Sequence, residues 1–246
     1  MRGFGKSDVG KMRANNEDAI YVNNDVSEPL ANLFVVADGM GGHNAGDIAS
    51  QRAILAFCEY LDSHPDIVFV EDFLAEALSH ANKMVHADAQ SNPGLSGMGT
   101  TFSAITTDED NLYYVHVGDS RIYVVAENHI IQLTRDHSLV AEMAERGIIT
   151  HEEAKHHPEK NVITRAIGTD LSITIDKGYF PLSSVKFVLL CSDGLTNMVS
   201  DAEIFDIVSS DNKMSVMVDN LIAKANEAGG DDNISVIIAG WTKGDS

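Results

Sequence analysis

Short apolar runs and helix-periodic stretches follow one another along this chain in blocks. Runs with strand length and composition are predicted at Ala19–Val22, Leu33–Ala37, Thr101–Thr106, Leu112–Val117, Arg121–Ala126, Ile173–Phe180, Phe187–Cys191 and Ile234–Ala239. Three stretches carry apolar residues at helical spacing instead. In the first, Ala45, Ile48, Ala49, Ala53, Ala56, Phe57 and Tyr60 share a face, with Asn44 placed to cap it. The second gathers Val70, Phe73, Leu74, Ala77, Leu78, Ala81 and Val85. The third runs from about Met214 to Ala228 and stops at Gly229-Gly230. Strands fall into meanders, two long helices follow the second strand, and one precedes the last. Such grouping predicts an α+β protein of antiparallel sheets covered by helices, not an alternating βαβ fold. Between Thr134 and Asp170 the pattern turns short, polar and helical, as an insertion packed over one edge would be.

At 246 residues, with no repeat and no Pro/Gly-rich linker, a single domain over 1–246 is the simplest expectation. No stretch has the run of apolar residues that a membrane span needs, and the start lacks the apolar core of a signal peptide. Cys58 and Cys191 sit in apolar surroundings and read as two free thiols, which points to the cytoplasm. Asp and Glu number 37 against 17 Lys and Arg, a formal net charge of -20. That field repels nucleic acid and anionic membranes and favours cations and basic partner surfaces.

Acidic residues also mark the ends of the most apolar strands. LFVVA runs into Asp38-Gly39, FVLLCS into Asp193-Gly194, and YYVHVG into Asp119; Asp231-Asp232-Asn233 precedes ISVIIA and Asn16-Glu17-Asp18 precedes AIYV. In antiparallel neighbours these groups converge on one sheet edge. Carboxylates crowded there raise one another's pKa unless something neutralises them. Hard divalent cations do so, and an oxygen-only set suits magnesium or manganese. Glycine after Asp38 is expected to free the backbone for a sharp turn that exposes a carbonyl to a metal. Each piece alone is ordinary turn composition; the joint pattern carries the weight.

The segments SDVGKMRANNED, VVADGMGGHNAG, GMGTT, VHVGDSRIY, LTRDHSLV, CSDGLTNMV and GGDDNISVI, in this order, resemble the bacterial metal-dependent protein phosphatases, the PP2C-like serine/threonine phosphatases. The resemblance covers nearly the whole chain. It implies a four-layer α-β-β-α sandwich and two to three Mn2+ or Mg2+ ions. Asp38 would bridge two metals, Asp193 and Asp232 would complete the first metal's ligands, and the Gly39 carbonyl would bind the second. Glu17 and Asp18 would hold metal-bound waters, and Asp119 with Asp193 would form a third, weaker site. Arg13, five residues before Asp18, matches the family's phosphate-binding arginine. A hydroxide bridging the metals would attack phosphorus in line, with no phosphoenzyme. Animal relatives place a histidine after the bridging Asp-Gly; here Met40 stands there, and His43 is the nearest candidate acid. Residues 135–168 resemble the bacterial flap beside the active site. The implied partners are phosphorylated proteins, among them a serine/threonine kinase and its targets, with a monomer as the default.

Other readings are weaker. The chain has no P-loop lysine motif and no G-x-S-x-G elbow, and GMGGHNAG has the wrong spacing for a dinucleotide loop. His151, His156 and His157 fail the H-E-x-x-H zinc spacing because Lys155 stands where the second histidine belongs. A binding module that had lost catalysis would lack a metal aspartate, yet Asp38, Asp193 and Asp232 are all present. A nuclease would want a basic stripe.

Overall fold

The computed structural model describes residues 1–25, 30, 32–41, 45–64, 70–210 and 212–241. Two antiparallel sheets face each other, with helices on both outer sides. One sheet is built from β1 (Arg2–Asp8), β7 (Arg121–Val125), β8 (Ile130–Gln132), β10 (Phe187–Cys191) and β11 (Ile234–Gly240), in the order β1-β11-β10-β7-β8. The other holds β2 (Asp18–Asn23), β3 (Leu33–Met40), β5 (Phe102–Thr107), β6 (Asn111–Val117) and β9 (Asp176–Pro181), in the order β2-β3-β5-β6-β9; β4 (Gly99–Thr100) pairs with the end of β3. Helices α1 (Ala45–Ser63) and α2 (Val70–Ser91) cover the second sheet, and α6 (Asp201–Val208) and α7 (Met214–Ala228) cover the first. Two short helices, α3 (Leu139–Glu145) and α4 (His151–Lys155), lie in the insertion, and the single turn α5 (Asp193–Thr196) follows β10.

The central strands β3, β5, β10 and β11 are buried on both faces, which is why they read as unbroken apolar runs. In β3, Phe34 and Val36 point into the core between the sheets, while Leu33, Val35 and Ala37 point toward α1 and α2. In β11, Ile237 and Ala239 face the inter-sheet core, and Ile234, Val236 and Ile238 face α6 and α7. The period-2 alternation of strand side chains thus feeds three apolar layers from two sheets. Small residues let α1 lie close: Ala45, Ala49, Ala53 and Ala56 are all buried.

The structure departs from the sequence expectations in several places. β1 was missed because Gly3 and Gly5 interrupt its apolar pattern; a Cβ at Gly3 would collide with the Phe34 ring. β8 spans three residues, too short for a periodic signal. Ile173 and Ile175, read as strand, instead pack against the α1/α2 core ahead of β9. Ile48, assigned to the inner face of the first helix, is 43% exposed. Asn44, the expected cap, lies outside the described residues.

Candidate metal and phosphate site

Sheet register brings the acidic groups together. Asp18 on β2 and Asp38 on β3 are directly paired, and Cys191, two residues before Asp193, pairs with Arg121, two after Asp119. Asp232 leads into β11, which runs antiparallel to β10. The carboxylates therefore gather not on one sheet edge, as the sequence suggested, but at the shared end of the two sheets. Asp119, Asp193 and Asp232 come from one and Asp18 and Asp38 from the other.

Between them lies a cleft of about 230 Å³ lined by Arg13, Glu17, Asp38, Asp119, Asp193 and Asp232, with Asn161 and Ile163 of the insertion on its far wall. Asp38 is fixed through its backbone. Its N–H donates to Thr101 Oγ1 at 2.9 Å, and its carbonyl accepts from Thr101 N at 2.8 Å and Thr100 Oγ1 at 2.9 Å. Gly39 lies inside β3 and makes no sharp turn, which corrects the sequence expectation. Its role is close approach: a Cβ there would run into the carbonyl oxygens of Gly46 and Glu17. Only glycine lets the start of α1 and the Glu17 backbone press against Asp38.

Asn233 holds the opposite wall. Its Nδ2 donates to the Val9 and Asn15 carbonyls, each at 2.9 Å, and its Oδ1 accepts from Glu17 N at 2.8 Å. The Arg13–Asp18 segment is thereby pinned to the turn before β11. Ser192 Oγ donates to Asp18 Oδ2 at 2.8 Å and accepts from Ser235 N at 2.9 Å. The sequence assigns no site role to Thr101, Ser192 or Asn233, although all three sit inside the quoted motifs; their side chains act on backbone and on Asp18, which residue type alone does not announce.

The electrostatics are one-sided. Burial, then the Asp18 and Asp193 charges, holds the Asp38 carboxyl well above the usual carboxylate range. Burial pushes Asp18 up to about 7 and, together with Asp232, raises Asp193 to about 6. Burial and the Asp193 charge raise Asp119 as well. Glu17 is raised by burial, with Arg13 pulling the other way. Asp18 Oδ1 and Asp193 Oδ1 are buried with no hydrogen-bond partner. Arg13 supplies a positive charge at the rim, where its Nη2 donates to Asp232 Oδ2 at 2.7 Å. Anionic oxygens crowded in this way, with two of them orphaned, fit divalent cations. Among the described residues no three His, Cys, Asp or Glu side chains form a ready-made cage. Magnesium-like ions take only one or two carboxylates and keep several waters, so the set suits them without such a cage.

His43 lies outside the described residues. His151 and His156 are exposed; His156 faces Glu152 at 3.7 Å, and His157 Nδ1 accepts from Glu159 N at 3.1 Å. Cys58 and Cys191 are both free thiols. Among the described residues no helix is long and apolar enough to cross a membrane.

A family model for protein phosphatase 2C matches residues 9–231. The chain belongs to that family. Among its relatives is protein phosphatase PhpP of Streptococcus pneumoniae, 41% identical over 242 residues that span 98% of this chain and 97% of the relative. The serine/threonine phosphatase stp of Listeria monocytogenes serovar 1/2a is 38% identical over 239 residues, 95% of this chain and 93% of the relative. Serine/threonine phosphatase Stp1 from Staphylococcus aureus superposes with a TM-score of 0.92 at 32% identity, covering 98% of this chain and 94% of that one. The catalytic domain of PstP, solved in complex with two manganese ions, superposes with a TM-score of 0.83 at 34% identity and 96% coverage of each chain. Membership makes the chain a serine/threonine protein phosphatase, a hydrolase whose substrates are phosphoproteins, and the two facing sheets with outer helices are the family's sandwich.

Proposed function

We propose that the chain hydrolyses phosphoserine and phosphothreonine with two or three Mn2+ or Mg2+ ions held in the carboxylate cleft. The observation that carries this reading is the convergence of Asp38, Asp119, Asp193 and Asp232 with Arg13 on one cleft, with a buried Asp193 oxygen left without a partner. Asp38, the Gly39 carbonyl, Asp193 and Asp232 would hold two ions, with Glu17 and Asp18 ordering the waters around them. Asp119 with Asp193 would hold the third. When bound, the cations lower the pKa of a coordinated water and neutralise charge on the phosphoryl oxygens.

The chain's own residues do the rest. Arg13 sits at the rim, exposed, and its planar fork can leave Asp232 for two phosphoryl oxygens. Thr101 and Asn233 fix the two walls between which the phosphoryl group would be held. Met40 lines the cleft and offers no proton, so His43 remains the proposed acid for the leaving group. The insertion over 135–168, within a single domain, is the flap that shapes substrate choice. Its proposed role is to reverse a bacterial serine/threonine kinase in the cytoplasm, as a monomer.

Phosphate release from a phosphothreonine peptide tests the reading. Release with added Mn2+ or Mg2+ that stops in excess EDTA is the expected result. Folded protein that releases none under either metal would remove it.

A further inference from the structure

We propose that His137 is a positioning residue that ties the helical insertion to the Asp119 loop and so sets how a phosphoprotein, as distinct from a small phosphate ester, fits the cleft. The inference deepens the phosphatase reading and rests on it for its kinetic arm only.

His137 is 1% exposed and stands where the chain leaves β8 for the insertion. Its backbone pairs in two directions. His137 N donates to the Gly118 carbonyl at 2.8 Å, and Thr164 N donates to the His137 carbonyl at 2.8 Å. Beside it, Leu139 N donates to Val162 O at 2.8 Å and Ser138 bridges Ile163. The two insertion residues on the cleft wall, Asn161 and Ile163, therefore lie in the segment that pairs with 137–139.

The side chain makes a second set of ties. Nδ1 accepts from Gly118 N at 3.0 Å, which fixes the neutral tautomer with its proton on Nε2. Nε2 lies 3.1 Å from Asp176 Oδ2, near enough for electrostatic attraction though not hydrogen-bonded to it. Asp176 is also held by Arg165 Nη1 at 3.0 Å, from the insertion's returning arm. The ring packs on His116, centroid to centroid 4.9 Å, and His116 is locked between Ser103 Oγ and the Arg135 carbonyl. Gly118, with φ +108°, leaves no freedom on its other side, where a Cβ would meet Thr101 at 2.6 Å. One imidazole thus joins the loop that carries Asp119, the start of β9 and the cleft-facing arm of the insertion.

Geometry gives this tie a selective consequence. A small phosphate ester can reach the carboxylate end of the cleft without pressing on Asn161 or Ile163. A phosphopeptide carries main chain on both sides of the phosphorylated residue and must pass that wall. A wall held by His137 orders the site before the peptide arrives; a loosened wall must be ordered by the peptide, which weakens its binding.

The test compares His137→Ala and His137→Asn with wild type, at saturating Mn2+, on a phosphothreonine peptide and on para-nitrophenyl phosphate. Amide hydrogen exchange is followed in parallel. The alanine variant is expected to raise the peptide KM about tenfold, the scale of a lost buried hydrogen bond, with kcat and both para-nitrophenyl phosphate parameters within about twofold. Exchange should rise at 161–165 and at Gly118. Asparagine should restore most of the peptide KM and the Gly118 protection, because Oδ1 takes the place of Nδ1. Equal losses on both substrates, an unmoved peptide KM or unchanged exchange at 161–165 would each overturn the proposal. If wild type released phosphate from neither substrate, the phosphatase reading would fall, and exchange alone would still uphold or overturn the tie.

Discussion

Two charged clusters flank Ser120, and the structure resolves them in opposite ways. On one side Arg121 forks onto Asp136 through Nε at 3.0 Å and Nη2 at 2.7 Å, and its Nη1 donates to Tyr123 Oη at 2.9 Å. Tyr123 Oη donates to Asp201 Oδ1 at 3.0 Å, and Gln132 Nε2 donates to Asp136 Oδ1 at 2.8 Å. On the other side Asp119 enters a cleft shared with Asp38, Asp193 and Asp232, where the cation at the rim is Arg13. The first cluster is hydrogen-bonded within the protein, with the Arg121 guanidinium set directly against Asp136. The second is a set of acids whose neutralisation has been left to something from outside. A buried charge that is paired is part of the scaffold; one that is not marks the functional end of the molecule.

The largest break in this comparison should come from Asp193→Ala. Phosphate release at saturating Mn2+ is expected to fall by about a thousandfold or more, because the ion that Asp193 is proposed to hold would lose a ligand. Mn2+ affinity by calorimetry should fall with it. Thermal unfolding without metal should stay cooperative and shift upward if anything, since one member of a like-charge cluster has gone. Unchanged turnover would sink the ligand assignment.

Arg121→Met sharpens the contrast from the scaffold side. Removing one partner leaves the half-buried Asp136 with only the Gln132 amide beside it, at a cost of about 2 kcal/mol in unfolding free energy by urea titration. Mn2+ stoichiometry in the folded variant should be unchanged. A variant that unfolds like wild type would mean that the Arg121 cluster contributes far less than its geometry implies.

How much of this contrast was legible in the sequence differs between fold and site. All eight expected strands have counterparts as β2, β3, β5, β6, β7, β9, β10 and β11, most plainly β3, β5, β10 and β11, because a strand buried on two faces must be apolar throughout. β1 escaped because its glycines exist to make room for Phe34 and for Ile20, Val22 and Ile237, a packing demand with no periodic trace. α6 also escaped, although its start carries a capping box, Ser200 with Glu203, that could have been read. The candidate acids were legible as residues, because aspartates at the ends of apolar strands are conspicuous. What Gly39 does was not, since a close approach to Gly46 and Glu17 depends on elements far apart in the chain. The Arg13–Asp232 pair was hidden for the same reason: 219 residues separate its partners.

The smallest effect is a pH dependence that isolates the incomplete cluster. Burial lifts the Asp18 carboxyl to about 7 in the folded chain, well above its ordinary value near 3.8. The folded state therefore binds the proton more tightly than the unfolded one, and stability in EDTA falls as pH rises through about 7. Two buried histidines push the other way: burial lowers His116 to about 4 and lowers His137, so their unfolded forms take up protons first as pH drops below about 6.5. A melt of wild type alone would mix the two signs. Asp18→Asn removes only the carboxyl and keeps an oxygen for the Ser192 hydroxyl, so the difference between variant and wild type cancels the histidines. In EDTA the variant should be the more stable protein at about pH 8. Its advantage should shrink by about 1.4 kcal/mol by about pH 6, which is a few degrees of melting temperature for a chain of this size. Saturating Mn2+ should reverse the order at about pH 8, because the bound cations then stabilise the ionised wild-type carboxylate. A flat difference across that range would place Asp18 among the paired charges of the scaffold, on the Arg121 side of the comparison.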